Sequence, residues 1–136
     1  MKGAKVKTHK LASAGLVGTP LAVEDDSEAL VELEATGEMA VDEMGLIHGG
    51  FTFGLADYAA MLAVNHPNVV LAEVKARFMA PVVLGDRMRA HARVVEKEGR
   101  RRRVSVEVTV GDRSIMEGEF LCLVLDRHVL SRGRQT

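Results

Sequence analysis

The chain has 136 residues, a length that corresponds to one domain over residues 1–136. Its 18 basic and 19 acidic residues give a net charge of −1, which excludes a globally basic nucleic-acid-binding protein. Because Cys122 is the only cysteine, an intrachain disulfide and a thiolate metal cluster are both excluded. The composition, with 47% hydrophobic and 27% charged residues, indicates a globular protein. No stretch approaches the roughly 18 apolar residues of a membrane span, and we expect a cytoplasmic protein.

The hydrophobic pattern predicts two strands, one helix and then four strands. In the strands, apolar residues alternate with polar ones, which is the period of a half-buried strand. The helix ends because Pro67 cannot continue it, and the tail after Arg127 is expected to fray. The predicted strands cover residues 17–24, 28–36, 70–78, 87–94, 103–110 and 114–125, and the helix covers 51–64.

Turns that contain glycine separate the later strands, at Gly85-Asp86, Glu98-Gly99 and Gly111-Asp112. Strands joined by short hairpins form an antiparallel sheet, and a single helix must pack on one face of it. In the strand after the helix, the even-numbered residues from 70 to 78 are expected to share one face. The residues therefore predict an α+β fold in which a curved antiparallel sheet surrounds one central helix.

Asp57 is the only charged residue of the predicted helix. The helix is otherwise apolar nearly all round, a pattern typical of a helix that is buried on most sides. A carboxylate in that setting costs free energy unless it is paired or protonated, and burial raises its pKa. Two interpretations follow: Asp57 hydrogen-bonds a nearby backbone, or it acts as a nucleophile or general base in a partly dry cleft.

Residues 45–50, with the sequence GLIHGG, immediately precede the helix. Glycines at a helix start leave backbone N–H groups free and let another molecule approach closely. Such N–H groups, together with the positive end of the helix, suit a developing oxyanion. The motif by itself is equally compatible with a simple turn.

His48-Gly49-Gly50, then Leu55-Ala56-Asp57, then Asn65 together resemble the hot-dog fold acyl-CoA thioesterases, in particular their phenylacetate-pathway branch. The resemblance covers about residues 45–81 closely and the remaining strands by pattern. It implies the hot-dog fold, a homodimer or a dimer of dimers, and hydrolysis of a thioester of coenzyme A or acyl carrier protein. It implies no cofactor, because coenzyme A is part of the substrate.

The resemblance also implies roles for individual residues. Asp57 matches the family's catalytic carboxylate, and Gly49 matches the glycine whose backbone N–H polarises the thioester carbonyl. His48 matches a histidine that mainly shapes the loop. Asp42 falls where the family usually has an Asn or Gln that helps to hold the carbonyl or a water. A charged Asp42 would repel an oxyanion, whereas a protonated one could donate a hydrogen bond. Leu71 falls early in the strand after the helix, at a position where the family often has a side chain with a hydroxyl group.

Gly49 and Asp57 are eight residues apart on one helix, which is about 12 Å along its axis. A carbonyl bound to the Gly49 N–H lies about 3 Å from it, and attack needs an approach of roughly 3–3.5 Å. One helix therefore cannot supply both groups to one substrate, whereas two helices related by a twofold axis can. We predict an obligate dimer whose sites take Gly49 from one subunit and Asp57 from the other.

Further residues are predicted to bind the substrate. Apolar residues of the helix and the glycine at its start would contact the acyl group, and arginines would bind the phosphates of coenzyme A, because guanidinium forks suit phosphate. The run of arginines at positions 100–103 is equally compatible with a solvated sheet edge. The predicted substrate-binding residues are Gly50, Phe53, Met61, Arg77, Arg101 and Arg103.

Other functions remain open at this stage. A non-catalytic acyl-CoA-binding module is favoured by Asp42 and by the missing hydroxyl, but Asp57 argues against it. An enoyl-CoA hydratase would need an Asp-x-x-x-x-His pair, and only Glu43 and His48 have that spacing. Nucleic-acid binding is disfavoured, because no aromatic residue is interleaved with the arginines. The five histidines lack the spacing of metal ligands, so no metal is predicted.

Overall fold

Six strands in one sheet and one long helix make up most of the chain that the computed structural model describes, residues 3–133. The strands are β1 Thr19–Glu24, β2 Glu28–Glu34, β3 Val69–Phe78, β4 Arg87–Glu98, β5 Arg101–Val110 and β6 Arg113–Val124. The helices are α1 Ala14–Val17, α2 Gly49–Val64 and α3 Val129–Gly133. Neighbouring strands are antiparallel and lie in the order β1-β2-β4-β5-β6-β3.

The core lies between α2 and the inner face of the sheet. On β2, Ala29, Val31 and Leu33 are buried, and the buried positions of β4 and β5 likewise alternate with exposed polar ones. Phe120 on β6 is fully buried. Each large apolar side chain removed from water in this way stabilises the fold by about 1.5–3 kcal/mol. The predicted α+β fold, a curved antiparallel sheet around one helix, is confirmed.

The strand order departs from a simple succession of hairpins at one place. β2 pairs with β4, and β3 crosses to the far edge of the sheet, where β6 is its one neighbour among the described strands. The turn predicted at Gly85-Asp86 is therefore not a hairpin between paired strands. The crossing leaves β3 as an edge strand whose end, at Phe78, lies near the start of α2.

β3 contains a β-bulge at Ala72. Leu71 pairs with Cys122, whereas Glu73 pairs with the residue of β6 that precedes Cys122, so Ala72 has no partner across the ladder. The extra residue shifts the alternation by one position. Leu71 packs against the core and Ala72 is exposed, so the prediction that the even-numbered residues from 70 to 78 share one face is wrong before the bulge.

Several element ends differ from the predicted ones. α2 begins at Gly49 rather than at residue 51, and it ends at Val64 because Asn65 adopts the left-handed conformation (φ 52°) that commonly terminates helices. β4 and β5 extend the hairpin to Glu98 and Arg101. α3 replaces most of the frayed tail expected after residue 127, and residues 134–136 of that prediction lie outside the described residues. No helix among residues 3–133 is long and apolar enough to cross a membrane.

Candidate active site

An open groove of about 410 Å³ lies at the N-terminal end of α2. Gly49 is the first helical residue, so its N–H has no carbonyl one turn earlier in the helix to bond. Thr52 follows one turn later and is the only polar side chain among the described residues that line the groove. The remaining lining residues are apolar and come from three segments: Ile47, Phe78, Met79, Ala80, Pro81, Val82 and Ile115.

His48 and Gly50 shape the start of α2. The N–H of Gly50 donates to Nδ1 of His48 at 2.8 Å, which caps the helix and uses one of its free N–H groups. A Cβ at position 50 would lie 2.9 Å from the same Nδ1, so the close approach requires glycine. A Cβ at position 49 would meet only Phe78, at an ordinary 3.7 Å. Gly49 therefore lines the groove and carries a backbone N–H that has no acceptor one turn earlier in the helix.

Asp42 organises the loop before α2. Its Oδ1 accepts hydrogen bonds from the N–H groups of Met44 at 3.0 Å and Leu46 at 3.1 Å. A carboxylate with both of these donors is committed to its own loop, which is a common use of Asp in turns. Asp42 is exposed and is not among the described residues that line the groove.

Asp57 is half-buried on the middle of α2, and its Oδ1 is fully buried with no hydrogen-bond partner among the described residues. Burial raises the pKa of Asp57 above its ordinary value of 3.8, and the positive charge of His9 opposes that rise. The carboxylate of Asp57 also affects Cys122 on β6. Burial is the larger cause and the negative charge of Asp57 the smaller one that together raise the pKa of the Cys122 thiol to about 12. An unpartnered, desolvated carboxylate is typical of functional sites.

Asp57 does not reach the groove at its own Gly49. The groove is lined by residues from the start of α2, and Asp57 is not one of them. The two groups are eight residues apart in one continuous helix, Gly49–Val64, and are thus separated by about 12 Å along its axis. A single chain therefore does not bring its own candidate carboxylate and its own candidate N–H donor together.

The two predicted apolar substrate contacts differ in accessibility. Phe53, one turn before Asp57, is half-buried and stacks on Phe120 with a ring-centroid distance of 5.8 Å. Met61, one turn after Asp57, is only 1% exposed and belongs to the core. In this chain Phe53 can be reached from outside, whereas Met61 packs against other side chains.

The three predicted phosphate-binding arginines lie on the face of the sheet turned away from α2. Their neighbours in the strands, Val104 on β5 and Ala76 on β3, face the core, so the arginines point outward. Arg77 forms an ion pair with Glu117 at 2.7 Å, and Arg103 forms one with Glu96 at 3.0 Å. Arg101 is exposed on the same face as Arg103.

Two polar residues near the site have no sequence pattern that would identify them as site residues. Thr52 is buried inside the apolar helix, and its hydroxyl lies 3.4 Å from the sulfur of Met88, a weak acceptor. His9 belongs to the N-terminal segment, which we define as residues 3–12, and its charge acts on Asp57 although it precedes that residue by 48 positions. Hydrophobic periodicity describes single elements, so it cannot bring such distant residues together.

The chain belongs to the thioesterase superfamily, whose family model matches residues 44–117. This region contains the candidate N–H donor, the candidate carboxylate and four of the six strands in part or in full. Its members include the hot-dog thioesterases that the residues around α2 resemble.

Solved structures with the same fold include close relatives. Uncharacterized protein PH1136 from Pyrococcus horikoshii is 51% identical, and the match covers 96% of this chain and 99% of that one with a TM-score of 0.93. A mutant of the phenylacetic acid degradation protein PaaI from Thermus thermophilus is 28% identical, and the match covers 81% of this chain and 95% of that one with a TM-score of 0.74.

Curated relatives are longer than this chain. A methylthioribose-1-phosphate isomerase from Aquifex aeolicus is 44% identical over 88% of this chain, which spans only 26% of that protein. Transcription factor FapR from Caldanaerobacter subterraneus is 24% identical over 97% of this chain, which spans 65% of that protein. This chain therefore matches only a part of larger proteins that have different names.

Proposed function

We propose that the protein hydrolyses a thioester of coenzyme A or acyl carrier protein at a site shared by two subunits. One subunit supplies Asp57, and the other supplies the N–H of Gly49. Membership of the thioesterase superfamily supports the reaction class, and the 28% identity to a phenylacetic acid degradation protein supports the same branch.

The observation that carries this proposal is the unpartnered carboxylate of Asp57. Its Oδ1 is buried with no donor among the described residues, an arrangement that costs free energy in the folded chain. A thioester carbonyl carbon or an attacking water would use that oxygen, because a carboxylate acts as a nucleophile or as a general base. A group placed only for stability would instead have its hydrogen bonds satisfied.

The exposed face of α2 supports a site shared between subunits. One stripe of α2 is not buried by the chain's own sheet. It contains Gly50, Gly54 and Asp57, which are four and then three residues apart and therefore lie on the same side of the helix. A Cβ at position 54 would meet no atom of residues 3–133 within 4 Å. The edge strand β3 ends near Gly49, at the start of α2, with Phe78, which is 55% exposed. A second copy packed here would cover apolar surface and bring its own Gly49 to Asp57.

The chemistry follows from the groups in this arrangement. The apolar groove at the start of α2 holds the acyl portion, and the N–H of Gly49 donates to the thioester oxygen, where negative charge develops. Asp57 of the other subunit either attacks the carbonyl carbon to form a mixed anhydride, which water then hydrolyses, or removes a proton from the attacking water. The sulfur leaves as a thiolate in both routes. Label found in Asp57 after single-turnover hydrolysis in oxygen-labelled water would identify the anhydride route, with water attacking the carboxyl carbon of Asp57.

Turnover of a panel of acyl-CoA thioesters, followed by release of free thiol, tests the reaction. We expect the wild-type chain to hydrolyse at least one of them and Asp57→Asn to lower kcat by about 10²-fold or more. Asn is nearly isosteric with Asp, so this variant removes the charge and keeps the packing. Wild-type turnover that Asp57→Asn leaves unchanged would exclude Asp57 from the reaction.

Mixed dimers test the shared site. Chains carrying Gly49→Pro and chains carrying Asp57→Asn are each inactive in this scheme. Random pairing yields about half mixed dimers, each with one intact site of two, so the mixture recovers about one quarter of wild-type activity. Verified mixed dimers without any recovery would refute the shared site.

A second candidate is a module that binds an acyl-CoA and does not cleave it. The match to a transcription factor over 97% of this chain supports it, as does Asp42, whose Oδ1 is engaged by its own loop. Saturable binding of an acyl-CoA with no thiol release over the whole panel would favour this candidate over hydrolysis.

A further inference from the structure

The N-terminal segment, residues 3–12, is tied to the end of α2 by one buried side chain. The amide of Asn65 accepts a hydrogen bond from the N–H of Lys7 at 2.9 Å and donates to the carbonyl oxygen of Lys5 at 2.8 Å. The same amide nitrogen also lies 2.6 Å from Oδ1 of Asp25. Farther along, the N–H of Ala4 joins β1 through a 2.7 Å bond to Val23. The path of the segment across α2 is therefore specified by the fold.

The segment then holds His9 in a defined orientation. Thr8 is only 5% exposed, and its Oγ1 lies 2.8 Å from Nδ1 of His9. His9 has a φ of 55°, a left-handed conformation that is uncommon for any residue but glycine. Its ring lies 6.4 Å from the ring of Tyr58, the residue that follows Asp57 on α2. The surrounding structure thus fixes an exposed histidine next to the turn of α2 that carries Asp57.

Among the described residues, His9 is the group whose positive charge would lower the pKa of Asp57. The other titratable groups near that carboxylate are Cys122 on β6 and the adjacent Tyr58, and burial raises the pKa of both, so both are neutral at pH 7. His128, from the stretch before α3, lines the same cleft of about 260 Å³ as His9, and its own Nδ1 accepts from Leu130. The positive charge of His9 lowers the pKa of Asp57 against the effect of burial.

We propose that His9 is a positioning residue for Asp57, held by Thr8 beside the turn of α2 on which that carboxylate lies. This inference deepens the proposed hydrolysis and rests on it for its catalytic meaning. Asp57 must be ionised to attack a carbonyl carbon or to accept a proton from water. A protonated imidazole nearby favours the ionised carboxylate in a setting that otherwise favours the neutral acid.

Titration of the Asp57 carboxyl by carbon NMR, in protein labelled at aspartate and assigned with Asp57→Asn, tests the inference without any substrate. His9→Asn removes the imidazole, and Asn tolerates the left-handed conformation better than most residues. We expect the pKa of Asp57 to rise in this variant. His91→Asn is the matched control, because His91 lies on the outer face of β4 beside Glu28, and it should leave the titration of Asp57 unchanged. An Asp57 titration that His9→Asn does not shift overturns the inference.

The pH profile of hydrolysis provides the second measurement. We expect the acidic limb of kcat/KM to move to higher pH in His9→Asn, with the plateau at high pH and the KM there little changed, because Asp57 is ionised in both proteins once the pH is high enough. Thr8→Val frees the imidazole while keeping the buried volume, and it should shift the limb in the same direction. A plateau that falls with no shift of the limb would indicate a merely structural role and overturn the inference.

The two measurements separate the two proposals. A shifted Asp57 titration in a protein that hydrolyses none of the thioesters supports the effect of His9 on Asp57 and contradicts the proposed function. Hydrolysis that depends on Asp57 together with an unshifted titration in both His9→Asn and Thr8→Val contradicts the role of His9 and leaves the proposed function standing.

Discussion

Gly49→Pro removes the backbone N–H that we expect to polarise the thioester carbonyl, and it changes little else. Proline is well tolerated at the first position of a helix, which is the position of Gly49. The preceding residue, His48, has an extended backbone (φ −62°, ψ 131°), as a residue before proline requires. The substitution therefore deletes one hydrogen-bond donor and retains the helix.

The expected effects on stability and on activity differ widely in size. Replacing glycine with proline at a compatible position changes the free energy of unfolding by about 1 kcal/mol or less. Loss of one donor to a developing oxyanion lowers kcat by about 10²–10³-fold, which corresponds to about 2.7–4 kcal/mol of transition-state stabilisation. A folded and inactive Gly49→Pro protein is thus the predicted outcome.

Thermal unfolding followed by circular dichroism and thiol release from an acyl-CoA measure the two effects in the same preparation. Gly49→Ala is the matched control, because it keeps the N–H and its Cβ would lie 3.7 Å from Phe78, an ordinary contact. We expect Gly49→Ala to retain far more activity than Gly49→Pro. If the folded proline variant kept kcat within tenfold of the alanine variant, the N–H of Gly49 would not be the oxyanion donor.

Three further predictions concern stability and reactivity. Asp57→Asn should unfold at a higher temperature than wild type at pH 7. Burial raises the pKa of Asp57 in the folded chain above the 3.8 of the unfolded chain, so the wild-type protein loses stability as the pH rises from the unfolded-state pKa through the folded-state pKa. The difference in unfolding temperature between the two proteins should therefore shrink below pH 3.8. Asn65→Ala should lower the free energy of unfolding, measured in urea, by about 2–4 kcal/mol, because it breaks the hydrogen bonds to Lys5 and Lys7 and places alanine at a φ of 52°. Asn65→Gly should lower the free energy of unfolding by less, because glycine tolerates that φ. Cys122 is buried and its pKa is about 12, so iodoacetamide at pH 8 should alkylate it only in the unfolded protein, as mass spectrometry before and after addition of denaturant can measure.

The candidate carboxylate and donor were predictable because each stands out against its local pattern. Asp57 is the only charge in an apolar helix, and Gly49 belongs to a glycine motif directly before that helix. Hydrophobic alternation likewise predicted the buried faces of β2, β4 and β5, since a strand in a one-sided sheet must bury every second residue.

Features that depend on contacts between distant parts of the chain were not predictable in this way. The bulge at Ala72 changes which residues of β3 face the core, and its position depends on pairing with β6. The place of Asn65 as an anchor for the N-terminal segment depends on Lys5 and Lys7, which lie about 60 positions earlier. Its sequence context indicated only the end of a helix.

The amino-acid sequence by itself determined the class of fold, the central helix and the two residues of the candidate site on that helix, because periodicity and a lone buried charge are properties of neighbouring residues. The tertiary structure alone decided that β3 lies at a sheet edge, that residues remote in the chain form an apolar groove at Gly49, and that His9 lies next to α2. These outcomes arise from packing between elements remote along the chain, where burial and charge act through space and leave no local pattern.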